Sequence, residues 1–534
     1  MTTATAIPGA RALPPVLGRL LSGTFWLALR TPLQAVFVLW STRLVLEAIG
    51  PDQAGAYRFA WGFGFFQFLL EFGIGSALQR QVSESWTRGD RAAVDRAVAC
   101  GLNFYAAMAL VQVAALAGVA FGALPHTQFH GTAYRLVVKL LWLQAVTAPC
   151  YGMSVVVTGV LQAARRYDFI PRLEVAIVIL RFAILWAGLG AGCDFFAVVV
   201  AQTVVQVGLS LGPGGWVMIR ELGHVPRFTG ARRDDYAALL HVSLYIFLIQ
   251  LSVVLADKVD TTILGFVLND PGPANAVYDL VSKPFAQLRQ TAGMLASMVM
   301  PAVASLAAAR DAWGLERIKY DGPRLHVGLL LPVALLAWIY AGPFLSLWVG
   351  DRLGYDAARV APLMRLFLVA TIPLVIAVPV QMAIGMGRLK VVALSALAGA
   401  LVNLPISYVL TTRLGVSGVI WGTVLTTLFS NLLVPGIHVF RVLEIKPTTF
   451  LTRSLGAPLA GAAALAAATC TCHALIPLAP GASAAPARLL PLLAHLSVGT
   501  LAYAAGYLAV SAGRADLVAL ARALRRRALG PAAA

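Results

Sequence analysis

The residues of this chain most suited to chemistry are cationic side chains inside long apolar segments. Arg181 lies near the centre of one segment and Arg289 near the middle of another, while Arg30 and Lys283 lie off-centre in theirs. A guanidinium keeps its charge and forms paired hydrogen bonds to phosphate oxygens, so these positions are candidates for anion binding. Each of two arginines also has an alternative role. Arg181 pairs with Glu174 on the same face of its own helix. Arg30 extends its guanidinium to the interface between membrane and water.

Carboxylates also occur inside apolar segments. Asp257 and Asp260 share one face of a predicted helix, and Glu71 lies toward one end of another. A carboxylate in such a place can bind and release a cation or a proton. The alternatives are a static network of the aspartates with Lys258 and a helix-packing role for Glu71.

Four glutamines have spacings that favour a common polar surface. Gln202 and Gln206 are four residues apart on one helical face, and Gln287 and Gln290 flank Arg289. Uncharged amides of this kind bind hydroxylated ligands or join neighbouring helices, and both roles are open.

Two other chemistries are not expected from the sequence. The chain has no Gly-x4-Gly-Lys-Ser/Thr loop, which argues against ATP hydrolysis. Cys470-Thr-Cys472-His473 lacks a second pair of ligands, which argues against a metal site. We therefore expect no cofactor.

The elements that carry these residues are about fourteen apolar segments of roughly 20 residues or more, long enough to cross a bilayer. Only 12% of the 534 residues are charged and 59% are hydrophobic, whereas a soluble domain carries about 25% charged residues. The pattern predicts an all-α, polytopic membrane protein. The predicted spans are 22–48, 54–77, 97–123, 136–163, 171–190, 194–219, 237–267, 273–303, 324–349, 360–383, 390–411, 416–440, 454–477 and 489–511.

The basic residues alternate from loop to loop. The net charge is +18, and Lys and Arg concentrate in every second loop, whereas the opposite loops hold few, such as Arg352, Arg359, Arg413 and Arg488. This is the positive-inside pattern, so the charge reflects topology and not a nucleic-acid partner. It predicts a bacterial inner-membrane protein with both termini in the cytoplasm and with the first span as its targeting signal.

The sequence also contains a weak internal repeat. The segment Ile49–Tyr57 resembles Asn269–Tyr278 at an offset of about 221 residues, and the same offset carries Arg88-Gly-Asp90 onto Arg310-Asp311. Chance similarity of apolar stretches is the alternative. Six intervening segments predict parallel repeats about an axis along the membrane normal. We therefore expect a six-helix lobe at 1–230, a second at 231–445, and two further helices with a basic tail at 446–534.

Several short motifs occur in an order and spacing that resemble one family. They are residues 46–57, 71–80, 260–265 and 276–278, Pro301 with Ser305, and residues 385–390 and 414–422. Over roughly residues 20–440 the chain is similar to the polysaccharide flippase branch of the multidrug/oligosaccharidyl-lipid/polysaccharide exporter superfamily. The resemblance implies a helical bundle with a cavity between two lobes. It also implies movement of polyprenyl-diphosphate-linked saccharides from the cytoplasmic to the periplasmic leaflet.

The resemblance implies roles for the residues singled out above. Arg181, Arg289, Arg30 and Lys283 are the expected diphosphate-binding residues, and Gln202, Gln206, Gln287 and Gln290 the saccharide-binding ones. Asp257, Asp260 and Glu71 are the candidates for ion coupling. The implied partners are the lipid-linked saccharide, membrane lipids, and a polysaccharide polymerase or glycosyltransferases, with the chain itself a monomer.

Three other functions are alternatives to this one. A cation-coupled multidrug antiporter of the same superfamily favours an acidic cavity, but the charges within the spans lean basic. A lipid II flippase has the same fold and also uses cavity arginines, and it stays a competitor. A membrane-embedded polymerase or ligase needs acid and base groups on a large external loop, and residues 476–488 are rich in Ala and Pro instead.

Overall fold

The computed structural model of the protein describes residues 15–64, 74–164, 169–223, 225–236, 251–252, 255, 259–297, 299–350, 357–388, 390–476 and 485–529. All regular secondary structure within these ranges is helical, as predicted. The helices are α1 (Pro15–Gly62), α2 (Ile74–Thr87), α3 (Arg91–Gly118), α4 (Gly131–Ala163), α5 (Phe169–Gly190), α6 (Phe195–Trp216), α7 (Pro271–Ser297), α8 (Val299–Ala308), α9 (Ala312–Ile339), α10 (Ala341–Trp348), α11 (Ala357–Val369), α12 (Ala377–Gly385), α13 (Lys390–Leu414), α14 (Val416–Thr427), α15 (Val434–Val442), α16 (Pro447–Thr449), α17 (Gly456–Leu475), α18 (Ala485–Ala509) and α19 (Ser511–Leu529).

Eleven helical stretches among the described residues are long and apolar enough to cross a membrane. They are Leu33–Gly62, Arg91–His126, Gly131–Gln162, Phe169–Gly190, Phe195–Arg220, Ala312–Ile339, Ala357–Gly385, Lys390–Leu414, Val416–Val442, Pro447–Leu475 and Leu489–Ala509. The 27 residues of α7 are also enough to cross, but it carries Asp279, Lys283 and Arg289. Charges in a spanning helix are costly and mark functional positions, so α7 is a candidate for the site. The protein is a multi-pass membrane protein.

The chain divides into two compact units. Unit 1 comprises residues 1–48, 63–125 and 135–250, and unit 2 comprises 49–62, 126–134 and 251–534. The first boundary falls beside Gly50, where the sequence predicts a loop between two spans. The break lies where it is predicted, but it is confined to Gly50, whose backbone is non-helical (φ +72°, ψ 173°), so α1 comprises two helices that meet at a kink. Glycine tolerates this left-handed backbone and Pro51 suits the first turn of the following helix, so the helix resumes at once. The predicted boundaries at residues 230 and 445 stay a prediction.

Unit 1 has a core formed mainly by α2, α3 and α4. Leu78, Val98 and Val156 belong to one buried apolar cluster. The early part of α1 lies against α5, where the rings of Phe37 and Phe182 stack at 4.5 Å. This contact brings the charged residues of α1 and α5 close together.

Unit 2 contains two further apolar clusters. Tyr320 of α9 packs with Met382 of α12 and Val439 of α15 in one cluster. Farther along α9, Leu336 packs with Leu465 of α17 and Tyr503 belongs to the same cluster. The helices after residue 446 therefore share the core of unit 2.

The predicted repeat has a local structural counterpart. Asp90 caps α3 by accepting a hydrogen bond from the Ala93 amide at 2.9 Å, and Asp311 caps α9 in the same way from the Gly314 amide at 2.9 Å. The caps have nearly equal backbone angles, φ −82° and ψ 86° for Asp90 against φ −81° and ψ 86° for Asp311. The preceding residue is left-handed in both, Gly89 at φ +72° and Arg310 at φ +55°. The sequence match thus corresponds to one turn geometry used twice.

The two turns predict a stabilising substitution. A non-glycine residue at positive φ costs about 1–2 kcal/mol, whereas glycine is unstrained there but loses more freedom on folding. We therefore expect Arg310→Gly to raise the free energy of unfolding by up to about 1 kcal/mol. Thermal unfolding of the detergent-solubilised protein measures this, with Gly89→Ala as the opposite change. A lower melting temperature for Arg310→Gly would contradict the strain argument.

Candidate functional site

A buried polar cluster surrounds Asp260 in unit 2. The Asp260 side chain is fully buried in the helical segment 259–267. Its Oδ2 accepts hydrogen bonds from the hydroxyls of Tyr278 at 2.7 Å and Thr423 at 2.6 Å. The Asn403 amide nitrogen lies 3.4 Å from Oδ1. Four separate helical segments therefore converge on one carboxylate.

A second layer of hydroxyls supports Asn403. Its Oδ1 accepts hydrogen bonds from Ser407 at 3.0 Å and from Thr426 at 3.1 Å. Asn403 and Ser407 are four residues apart on α13, so they share one helical face. This layer orients the Asn403 amide toward the carboxylate.

Close packing of α13 and α14 creates this arrangement. A Cβ on Gly422 would lie 2.1 Å from Ser407 Oγ, and one on Gly418 would lie 2.2 Å from the Leu410 carbonyl oxygen. Small residues let two helices approach closely within a membrane. The tight turn at Gly415, with φ +62°, reverses the chain between them. Glycines thus allow Asn403 and Thr423 to reach the same carboxylate.

The cluster offers oxygen ligands to a small cation. Hard cations take oxygen ligands, and here these are the Asp260 carboxylate with the hydroxyl oxygens of Tyr278 and Thr423. The Asn403 amide oxygen accepts hydrogen bonds from the second layer instead. The same carboxylate can take up a proton. No group of three or more His, Cys, Asp or Glu side chains suited to a metal ion occurs in the described part of the chain. The other two carboxylates predicted for ion coupling, Asp257 and Glu71, lie outside the described residues.

A cationic cluster in unit 2 includes Lys283, one of the predicted anion-binding residues. Arg58 Nε lies 3.1 Å from Asp279 Oδ1, and Lys283 pairs with Asp279 Oδ2 one helical turn along α7. The three side chains are between 20% and 27% exposed. Two cations thus share the Asp279 carboxylate.

The residues after the α1 kink position this cationic cluster. A Cβ on Gly55 would lie 1.7 Å from the Gly272 carbonyl oxygen, so α1 and the start of α7 meet backbone to backbone. This contact places Arg58, three residues after Gly55, beside Asp279 of α7. The two segments that resemble each other in sequence therefore pack together at this point.

Arg289 lies farther along α7. Its guanidinium is 5.5 Å from the centre of the Phe285 ring, a cation–π contact on the same helix. Six residues separate Arg289 from Lys283, which is about 9 Å along the helix axis. Gln287 is half-buried and Gln290 is exposed within the same stretch. A series of cationic and amide groups therefore extends along α7.

The predicted residues of unit 1 form a different arrangement. Arg30 Nη1 lies 2.8 Å from Glu174 Oε2, so the carboxylate expected as a partner of Arg181 pairs with α1 instead. The buried Nε of Arg181 has no hydrogen-bond partner among the described residues. Gln202 is buried and donates to the Arg181 carbonyl oxygen at 2.7 Å, while Gln206 is exposed. Gln202 thus joins α6 to α5, which is the alternative role noted for these glutamines.

The sequence analysis missed four residues of these clusters as functional positions. Asp279 and Arg58 are charged, and each lies within four residues of a predicted motif or site residue. Their position in the sequence could therefore have identified them. Tyr278 and Thr423 are uncharged, and only their places inside or directly after two motifs mark them. Contacts with Asp260 identify both.

Comparisons with known proteins agree with this fold. A family model described as "Polysaccharide biosynthesis protein" matches residues 20–307, which is more than half of the chain. The solved structure of "Lipid II flippase MurJ, inward closed conformation" aligns with a TM-score of 0.70 at 13% identity, over 92% of this chain and 99% of that chain. An inward-facing multidrug resistance MATE family transporter of the MOP superfamily aligns with a TM-score of 0.64 at 13% identity, over 78% and 96%. No curated protein matches the sequence.

The two kinds of comparison support different statements. At 13% identity the solved structures establish the fold alone. The family match establishes membership and confirms the resemblance seen in the short motifs. This chain therefore belongs to the polysaccharide biosynthesis protein family.

Proposed function

We propose that the protein is a flippase for polyprenyl-diphosphate-linked oligosaccharides that serve O-antigen, capsule or exopolysaccharide assembly. The observation that carries this proposal is the partly exposed cluster of Arg58 and Lys283 around Asp279. The two cations of this cluster are the groups that meet an incoming diphosphate, and Arg289 extends the row of cations along α7. Family membership supports the polysaccharide pathway.

The remaining predicted residues have supporting roles in this proposal. Arg181 and Arg30 bind the diphosphate during part of the cycle, with Glu174 released from Arg30 when the anion arrives. Gln206, Gln287 and Gln290 contact the saccharide, and Gln202 holds the helix that carries Arg181. The polyprenyl tail stays in lipid. The loop charges favour the bacterial inner membrane, with both termini in the cytoplasm.

We further propose that Asp260 couples transport to a cation or proton gradient. Its carboxylate is fully buried beside the hydroxyl oxygens of Tyr278 and Thr423, which can join it in binding a cation. A buried carboxylate inside a spanning bundle is costly and is by default a functional group. Glu71 and Asp257 stay candidates for the same role.

A gene deletion in the host tests the substrate. We expect the deletion strain to accumulate a polyprenyl-diphosphate oligosaccharide and to lose the surface polymer, as measured by mass spectrometry of extracted lipids. Complementation with Lys283→Gln should restore the polymer poorly, because one cation of the diphosphate site is gone. Arg317→Gln, which changes a largely exposed arginine, is the matched control. Normal polymer in the deletion strain would overturn the proposal.

A lipid II flippase is the second candidate, because the alignment with such a protein covers nearly the whole of both chains. The same deletion separates the two. Accumulated lipid II with an intact surface polymer would favour that function. Altered sensitivity to cationic drugs with both lipids at normal levels would favour a multidrug antiporter.

A further inference from the structure

A lipid-sized groove in unit 2 lies apart from the clusters described above. It has a volume of about 730 Å³ and runs along the π-helical turn Leu428–Leu433 and α15. Its wall from Leu432 to Arg441 spans nine residues, which is about 14 Å along a helix axis. The groove is therefore longer than a lipid headgroup and offers a path for an acyl chain.

The wall of this groove is apolar. Leu433 is 52% exposed and Ile437 is 48% exposed, and Phe440 continues the same surface. Gly436 forms part of the lining, and a Cβ there would meet Ile376 Cδ1 only at an ordinary 3.6 Å. The absence of a side chain at Gly436 keeps the groove open.

One end of the groove is charged. Arg441, Glu444 and Lys446 all line it and are all exposed. The turn that presents them is closed by the Ile445 amide, which donates to the Phe440 carbonyl at 2.8 Å. The three side chains together carry a net charge of +1. This loop belongs to the basic set that the positive-inside pattern assigns to the cytoplasm.

We propose that this groove binds one anionic phospholipid with a single phosphodiester and a hydroxylated headgroup, of the phosphatidylglycerol type. Arg441 and Lys446 bind the phosphodiester, and the Glu444 carboxylate accepts hydrogen bonds from the headgroup hydroxyls. An acyl chain lies on the wall of Leu433, Ile437 and Phe440. Basic pockets at the cytoplasmic surface select anionic lipids in this way.

Net charge distinguishes the competing lipids. A diphosphate lipid carries at least two negative charges, one of which would face Glu444. A choline lipid has no net charge, although its phosphodiester meets the same two cations, and it offers no hydroxyl to Glu444. The net charge of +1 of the groove matches the single negative charge of phosphatidylglycerol.

Native mass spectrometry of the full-length protein in micelles with equal phosphatidylglycerol and phosphatidylcholine tests the proposal. We expect the wild type to retain one phosphatidylglycerol with a preference of about tenfold over phosphatidylcholine, because only phosphatidylglycerol carries a net negative charge opposite to that of the groove. The double variant Arg441→Gln/Lys446→Gln should lose this preference. Arg388→Gln, at an exposed arginine outside the groove, should keep it.

A second pair of variants tests the apolar wall. Gly436→Phe fills the groove and should reduce retention of both lipids, whereas Gly436→Ala fits and should not. Thermal unfolding checks that each variant is folded. If Gly436→Phe does not fold, the charge variants alone test the proposal. Equal retention of the two lipids by the wild type, or an unchanged preference in the double variant, would overturn it. So would displacement of phosphatidylglycerol by an equimolar polyprenyl diphosphate.

Discussion

Asp260→Asn is expected to abolish the gradient dependence of transport while leaving the fold intact. Asparagine has nearly the shape of aspartate and keeps one oxygen as an acceptor for Tyr278 and Thr423, but it removes the negative charge. Charge-assisted contacts contribute about 1.5–3 kcal/mol each, so cation affinity should fall about tenfold to a hundredfold. Transport in proteoliposomes under an imposed sodium or proton gradient measures the effect.

A threonine pair provides the matched control for this experiment. Thr423→Val removes a hydroxyl that donates to Asp260 at 2.6 Å, and it should weaken coupling in the same direction. Thr469→Val also changes a buried threonine of unit 2, but that hydroxyl bonds only to the Ala466 carbonyl of its own helix, and coupling should be unchanged. Sodium-dependent thermal stabilisation gives a readout independent of transport. An Asp260→Asn protein with normal gradient dependence would show that the cluster is purely structural.

Asp516→Ala is expected to have the largest effect on stability of any single change in unit 2. Arg324 is only 5% exposed, and its Nε and Nη2 donate to the two Asp516 oxygens at 2.7 Å and 2.6 Å. Tyr507 also donates to Asp516 at 2.6 Å. Arg324 keeps its 3.1 Å pair with Asp321, so the loss of Asp516 should cost somewhat less than the about 3–5 kcal/mol of a fully uncompensated buried charge. Thermal unfolding and faster amide exchange across α19 should both report the loss.

Two comparisons show whether the buried charge is the cause. Arg324→Met/Asp516→Leu replaces both charges by apolar groups and should be less destabilising than Asp516→Ala, because no buried charge is left alone. Arg317→Gln breaks a 3.5 Å pair whose arginine is 55% exposed and should cost less than about 1 kcal/mol. If Asp516→Ala were as mild as Arg317→Gln, the pair would not hold α19 to α9.

The positions of the membrane helices could be predicted well because their signals are local. Span 171–190 corresponds to Phe169–Gly190, and span 390–411 to Lys390–Leu414. In a bilayer each backbone N–H and C=O group must form its hydrogen bond within its own helix. About twenty consecutive apolar residues therefore suffice to predict a membrane-spanning helix. The predicted break between the first two spans lies at Gly50, but the structure confines it to one non-helical residue instead of a loop of several residues.

The site could be predicted only in part. Asp260 was identifiable because a carboxylate in an apolar segment is costly wherever it lies. Its partners were not, since Asn403 and Thr423 are 143 and 163 residues away and are of types common in spanning helices. Pairing of Glu174 with Arg181 on its own helix was one open alternative, but the packing of α1 against α5 brings Arg30 within 2.8 Å of Glu174 instead.

The sequence by itself determined the class of the protein, its helical segments and the charges that must have partners inside the membrane. These properties depend on the free-energy cost of placing each residue in lipid, which is set by the type of that residue. Only the tertiary structure decided which carboxylate each cation meets and which hydroxyls surround Asp260. Those pairings depend on close approaches between distant helices, such as Gly55 with Gly272 and Gly422 with Ser407, and no local pattern specifies them.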